Sequence, residues 1–235
     1  MAERPILFSG PMVRAILEGR KTQTRRVVRG DAGENAEVWA APRTIDEPWE
    51  WGLLADHGRA GHGGYTRCPY GAPGDTLWVR ETWCHARDPI TSKPNGLFHY
   101  KADGEDVFED DGDGYAVENK DGTWKSPWRS PLYMPRWASR LTLRVTDVRV
   151  HRLHEVTEED ALAEGVEAPR CPNCGYTRVD CGVHLDHHLC GPTEPPSATF
   201  EFEYLWESIN GKRAPWSSNP WVWAVTFERE EAPRA

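Results

Sequence analysis

Apolar residues make up only 38% of the 235-residue chain, and no stretch approaches the ~18 consecutive apolar residues that a membrane-spanning helix requires. The opening MAERPILFSGPMVRAI lacks the charged-then-apolar pattern and the small-residue cleavage site of a secretory leader, so a soluble cytoplasmic protein is expected. Excess positive charge is missing as well. The 28 Lys and Arg face 37 Asp and Glu, and a net charge of −9 argues against a non-specific nucleic-acid coat. There is no internal repeat, and helical segments interrupt strands without the regular alternation of a parallel βαβ sheet. What the chain does have is rings. Its 12 Trp, 7 Tyr and 6 Phe supply large surfaces for burial and exclude a disordered polymer. The 21 Gly and 19 Pro imply many turns and disfavour a helical bundle.

This length suits a single domain over 1–235, interrupted by insertions at about 30–70, 85–130 and 170–191. Gly10 and Pro11 start a helix whose apolar face carries Met12, Val13, Ala15, Ile16 and Leu17, and Gly19 is placed to end it. Residues 30–71 read as an irregular surface excursion punctuated by Trp39, Trp49 and Trp51. Residues 76–83 (TLWVRETW) read as one strand by their β-branched and aromatic content. The acidic run at 103–113 lacks the oxygen-ligand spacing of an EF-hand and reads as a solvated loop. Residues 139–151 (SRLTLRVTDVRVH) form the clearest strand, and its apolar side changes part-way, as in a strand that bends around a small barrel or carries a bulge. Thr157 caps a helix with acids in its first turn, and Gly165 closes it. Phe202, Leu205, Trp206 and Ile209 share helical spacing, and residues 220–227 make a final strand. The expected fold class is therefore mixed α+β around a small barrel, with helices at its flanks.

Four of the six cysteines fall in CPNCGYTRVDCGVHLDHHLC. Cys171 and Cys174 form a CxxC knuckle that lets two thiolates reach one ion across a tight turn. Cys181 and Cys190 complete a tetrahedral set, although His184, His187 or His188 can replace one of the thiols. Four soft ligands leave no open position for water, so the expected zinc is structural and no cofactor is expected in catalysis. A catalytic zinc deaminase would need a His-x-Glu element before the Pro-Cys-x-x-Cys segment, and none is present. Cys68, Cys84 and His85 read as packing residues.

Arg14, Arg20, Lys21, Arg25, Arg26 and Arg29 are set against the single acid Glu18, a local basic patch in an acidic chain. Within it, residues 19–26 (GRKTQTRR) fit the pattern GxKxxxxR. Here the sequence resembles the ASCH domain family, whose fold is a β-barrel related to the PUA domain of RNA-binding proteins. Residues 5–26 (PILFSGPMVRAILEGRKTQTRR), 74–83 (GDTLWVRETW), 134–142 (MPRWASRLT) and 219–227 (NPWVWAVTF) resemble the larger ASCH proteins common in phages and prophages. The resemblance extends to small bacterial ASCH proteins that hydrolyse N4-acetylcytidine with a Lys and a Thr from that turn and a Glu further on. It implies catalytic roles for Lys21, Thr24 and Glu164. Arg20, Arg25, Arg26 and Trp83 are then the candidates for holding a modified cytidine nucleoside or nucleotide. This chain is about twice as long as those enzymes and carries insertions that they lack.

The chemistry is coherent by itself. Amide hydrolysis needs an activated nucleophile, a proton path to the leaving amine, and positive charge where the oxyanion forms. Lys21 serves as a base only if burial or neighbouring cations bring its pKa down; alternatively, an ionised Glu164 is the base and a charged Lys21 faces the oxyanion. A second expectation is a binding module that reads RNA, DNA or a modified base without catalysis, with the arginines facing phosphate and tryptophans stacking on bases. Trp78, Trp206, Trp221 and Trp223 lie in periodic elements and are expected in the core, whereas Trp83, Trp137 and Trp216 are expected at a pocket rim.

Overall fold

A computed structural model describes residues 2–29, 37–42, 49–54, 65–87, 94–104, 117–118, 124–125, 128–167 and 197–230. The chain has mixed helix and sheet, in the order β1 (Glu3–Leu7), α1 (Gly10–Leu17), β2 (Gln23–Val27), β3 (Glu37–Pro42), β4 (Trp49–Leu54), β5 (Tyr65–Arg67), β6 (Thr76–Arg80), β7 (Trp83–Arg87), β8 (Pro94–Tyr100), β9 (Val117–Glu118), β10 (Trp124–Lys125), β11 (Thr142–Arg152), α2 (Glu158–Ala163), α3 (Ala198–Asn210) and β12 (Trp221–Glu230). Two compact units divide it. One comprises Met1–Glu18, Asp75–Arg144 and Arg229–Ala235, and the other Gly19–Gly74 and Val145–Glu228. Among the described residues no helix is long and apolar enough to cross a membrane.

In the first unit, β1 runs parallel to β6, Glu3 opposite Thr76 and Leu7 opposite Arg80, while β6 pairs antiparallel with the start of β11, Trp78 opposite Thr142. Pro11 sits in the first turn of α1, where its missing N–H costs nothing, and Val13, Ala15 and Ile16 are the buried face. The expected strand over 76–83 is in fact two. It breaks at Glu81, whose buried carboxylate takes two hydrogen bonds from the Arg140 guanidinium at 2.9 and 3.0 Å. Trp83 then opens β7, which pairs antiparallel with β8.

The second unit pairs β2 antiparallel with β12, Arg26 opposite Trp223 and Thr24 opposite Val225. It also holds a three-stranded antiparallel sheet, β3-β4-β5. The excursion expected to be irregular therefore carries regular strands, and β7 to β10 likewise occupy much of the described part of 85–130. Its core gathers Leu153, Val156, Ala161, Ala198, Phe202, Trp206, Ala214 and Val222, with Trp216 packed against them. Each large apolar side chain so buried contributes about 1.5–3 kcal/mol. Trp206 keeps its indole N–H satisfied by donating to the Ala214 carbonyl at 2.8 Å. Glu158, at the start of α2, accepts from the Ala198 backbone N–H at 2.8 Å and so ties α2 to the N-terminus of α3. Along β11 the buried residues are Leu143 and Val145, then Val148 and Val150, so the inward face changes between Val145 and Val148 as expected.

Candidate active site

Gly19 adopts φ +76°, the left-handed conformation that suits glycine, and carries the chain out of α1 toward Lys21. Residues 21 and 22 are then held from both sides. Thr22 N–H donates to the Ala163 carbonyl at 2.9 Å, and the Thr22 carbonyl accepts from Phe227 N–H at 2.8 Å. Lys21 forms an isolated antiparallel bridge with Glu164. Beyond it β2 begins, and strand alternation puts Lys21, Gln23 and Arg25 on one side of the backbone and Thr24 on the other.

The acid side of the site is built by α2. Thr157 and Asp160 form a capping box, in which the Thr157 hydroxyl accepts from Asp160 N–H and the Asp160 carboxylate accepts from Thr157 N–H. Glu164 is the C-cap, and Gly165, at φ +87°, turns the chain away. Asp160 and Glu164 are four residues apart and so lie on one side of the helix.

Lys21 is 2% exposed and Glu164 4%. The Lys21 ammonium donates to Glu164 Oε2 at 2.7 Å, to the Glu164 carbonyl at 2.7 Å and to the Gln23 carbonyl at 2.8 Å, one acceptor for each of its protons. Arg25, also buried, spans both acids. Its Nη1 donates to Glu164 Oε1 at 3.2 Å and to Gln23 Oε1 at 2.7 Å, while Nη2 stands 2.7 Å from Asp160 Oδ2. The Phe202 ring packs 5.6 Å from the Arg25 guanidinium. Arg149 donates to the other Asp160 oxygen at 2.9 Å.

Burial lowers the Lys21 pKa despite the attraction of Glu164, and the charges of Arg26 and Arg25 add to the fall. Burial alone would raise the Asp160 carboxyl, but the charge of Arg25 and the hydrogen bond and charge of Arg149 hold it below its ordinary value. Arg149, Val150, His151, Glu155, Thr157 and Asp160 line a cleft of about 300 Å³.

Of the residues singled out from the sequence, Lys21, Arg25 and Glu164 come together. Arg20 is exposed and donates to the Gly165 carbonyl at 2.9 Å, and half-buried Arg26 acts on Lys21 through its charge. Thr24 is 1% exposed. Trp83 is not at a rim: it is 1% exposed and packs with Met134 and Ala138 in the core of the first unit. Its burial follows from edge contacts with Phe98 and Trp137, which surround the ring on a strand the sequence had suggested would end there. Trp137 is 65% exposed, and Trp216 lies against the second unit's core. Cys171, Cys174, Cys181 and Cys190, with His184, His187 and His188, lie outside the described residues. Among the described residues no cluster of three or more His, Cys, Asp or Glu is arranged to hold a metal.

Sequence reasoning missed Gln23, Arg149, His151 and the second role of Asp160. Asp160 reads as a first-turn acid, and only its position one helical turn before Glu164 hints that both could meet the same cation. No protein-family model, curated protein or solved structure matches the chain.

Proposed function

We propose that the chain is an amidohydrolase that removes an acyl group from the exocyclic amine of a cytosine nucleoside or a related modified base, on the PUA-like barrel that the ASCH resemblance implies. One observation supports this reading above others: the ammonium of Lys21 and the carboxylate of Glu164, 143 residues apart in the chain, meet at 2.7 Å away from water. A lysine and a carboxylate in direct hydrogen-bond contact can pass a proton between them, and burial lowers the Lys21 pKa toward that use. Glu164 delivers to the leaving nitrogen the proton it shares with Lys21, and the Arg25 and Lys21 charges offset the oxyanion. Thr24, which strand alternation turns to the opposite side of β2 from Lys21 and Arg25, takes no part in this step, and Arg20 and Arg26 are the proposed substrate contacts. Catalysis needs no cofactor on this reading. The zinc proposed for Cys171, Cys174, Cys181 and Cys190 is structural, and the proposed setting is cytoplasmic.

The test is turnover of N4-acetylcytidine by the purified full-length protein, followed by release of cytidine and acetate. Lys21→Ala and Glu164→Gln should each abolish it, with circular dichroism reporting that the variants remain folded. Full activity in either folded variant would overturn the mechanism. No turnover by the unmodified protein, together with salt-dependent binding of RNA or DNA, would instead favour the binding module.

A further inference from the structure

Trp83, His85, Phe98 and Trp137 form a closed group of rings in the first unit. Every pair touches, from 5.2 Å between the Trp83 and His85 centroids to 6.4 Å between His85 and Trp137. Three of the rings are buried or half-buried, but Trp137 is 65% exposed. The group therefore props up an indole whose outer surface meets water, an arrangement that burial of apolar surface does not by itself favour. The turn beneath it is well held. Pro135 leads into it, Ala138 N–H donates to the Pro135 carbonyl at 3.1 Å, and the Ser139 hydroxyl donates to the Val79 carbonyl of β6 at 2.8 Å. A ring fixed in this way loses little freedom when a ligand stacks on it.

Charge is the second observation. From residue 122 to residue 146 the sequence carries Lys125, Arg129, Arg136, Arg140 and Arg144 and no acid. Arg140 is engaged by Glu81 and Asp103, and Arg136 by Glu3. Arg129 is exposed, and no carboxylate among the described residues pairs with it. Its backbone bridges to that of Trp83, and its guanidinium lies 5.4 Å from the Trp83 ring, which Trp137 meets edge-on at 6.1 Å. No more than those two contact distances separates the unpaired cation from the exposed indole.

We propose that this face binds a single-stranded nucleic acid, with the Trp137 indole stacked on a base and Arg129 against an adjoining phosphate. A base inside a duplex has both faces covered by its neighbours, so the strand must be single. An acidic protein segment would satisfy Arg129, but its carboxylates give the indole nothing flat to stack on. The surface shares no residue with the Lys21–Glu164 site and does not rest on the amidohydrolase reading.

The test is fluorescence anisotropy of the full chain with labelled oligo(dT) and oligo(U) of about 12 nucleotides, beside a duplex of the same length. Both single strands should bind more tightly than the duplex, and the tighter of the two names the sugar. Trp137→Ala should weaken binding on the order of 10-fold, and Trp137→Phe should recover most of it. Arg129→Gln should make the plot of log affinity against log salt shallower by about 0.7, the share of one phosphate on a single strand. Equal affinity for the duplex would overturn the stacking. Unchanged affinity in folded Trp137→Ala and Arg129→Gln, with binding lost in Arg20→Gln and Arg26→Gln, would move the strand to the turn at 19–26. The proposal also fails if the unmodified protein binds no strand at low salt, or if it self-associates through a contact that Trp137→Ala abolishes, which would assign the face to a second copy. Hydrolysis of N4-acetylcytidine without strand binding would leave the amidohydrolase reading standing and remove this surface; strand binding lost in the Trp137 variant, without hydrolysis, would do the reverse.

Discussion

Lys21 meets Glu164 twice, through the carboxylate and through the backbone carbonyl of the same residue, each at 2.7 Å. The ammonium therefore reads the position of the end of α2 as well as its charge, and a helix that unwound by one residue would break both bonds. Such dual contact makes the pair stiff, which is what a proton path of fixed length requires.

Glu164→Gln removes the negative partner and leaves the Lys21 ammonium buried against a neutral amide. Stripping one member of a buried ion pair typically costs about 3–5 kcal/mol. The unfolding midpoint in urea should fall accordingly. The double variant Lys21→Met/Glu164→Leu should lose less than the two single variants together, since no orphaned charge remains. Additive losses would mean that the two groups do not interact energetically.

The Asp160 carboxyl gives a pH signature. Burial opposes its ionisation, but Arg25 and Arg149 lower its pKa in the folded protein. It thus binds fewer protons folded than unfolded, and contributes stability that is present above the unfolded value of about 3.9 and lost as the pH falls through the folded one. Thermal melts from about pH 6 downward, starting roughly two units above that value, should show the unmodified protein losing stability more steeply below about pH 4 than Asp160→Asn. Parallel curves would refute the assignment.

Thr157→Ala removes the hydroxyl that accepts from Asp160 N–H. A lost N-cap costs about 1 kcal/mol. Because α2 is only six residues long, the loss should also loosen Glu164 at its far end and lower kcat for N4-acetylcytidine. Thr157→Ser should restore both. A stability loss with unchanged kcat would uncouple the cap from the site.

Trp83 separates two uses of an aromatic ring. As a buried core residue, Trp83→Ala should cost about 3–5 kcal/mol in chemical denaturation. Trp83→Phe, which keeps the packing, should leave KM for N4-acetylcytidine unchanged. A raised KM in Trp83→Phe would return the ring to substrate contact.

The zinc proposal is tested by elemental analysis of protein purified without added metal. One zinc per chain is expected, falling on Cys171→Ser together with thermal stability. Metal-free protein with four titratable thiols in 170–191 would refute it.

Much of the local structure was legible because it rests on neighbours in sequence. Pro11 and Gly19 bracket α1, Thr157 starts α2, and Phe202 and Trp206 give α3 its buried face. The sheet β3-β4-β5 was not, because its short strands are set among Gly, Pro and charged residues and each is stabilised by the strand it pairs with, Glu37 finding its partner at Leu54. The site divides in the same way. The resemblance around Lys21 pointed to Glu164, but Arg25 as the hub of two carboxylates depends on contacts across 139 residues that no local pattern encodes. His151 went unnoticed because an isolated histidine in a strand carries no motif, and only its unpaired nitrogen beside a cleft distinguishes it.

In an evenly alternating strand, slippage by two residues leaves the same set of side chains indoors, so pairing errors of that size go unpunished. β11 has no such tolerance. Its change of inward face between Val145 and Val148 is a landmark that travels with the chain, and any sliding, odd or even, would carry an apolar side chain to water at one end. The strand is keyed like a notched rod. That notch fixes the downstream offset at which His151 arrives.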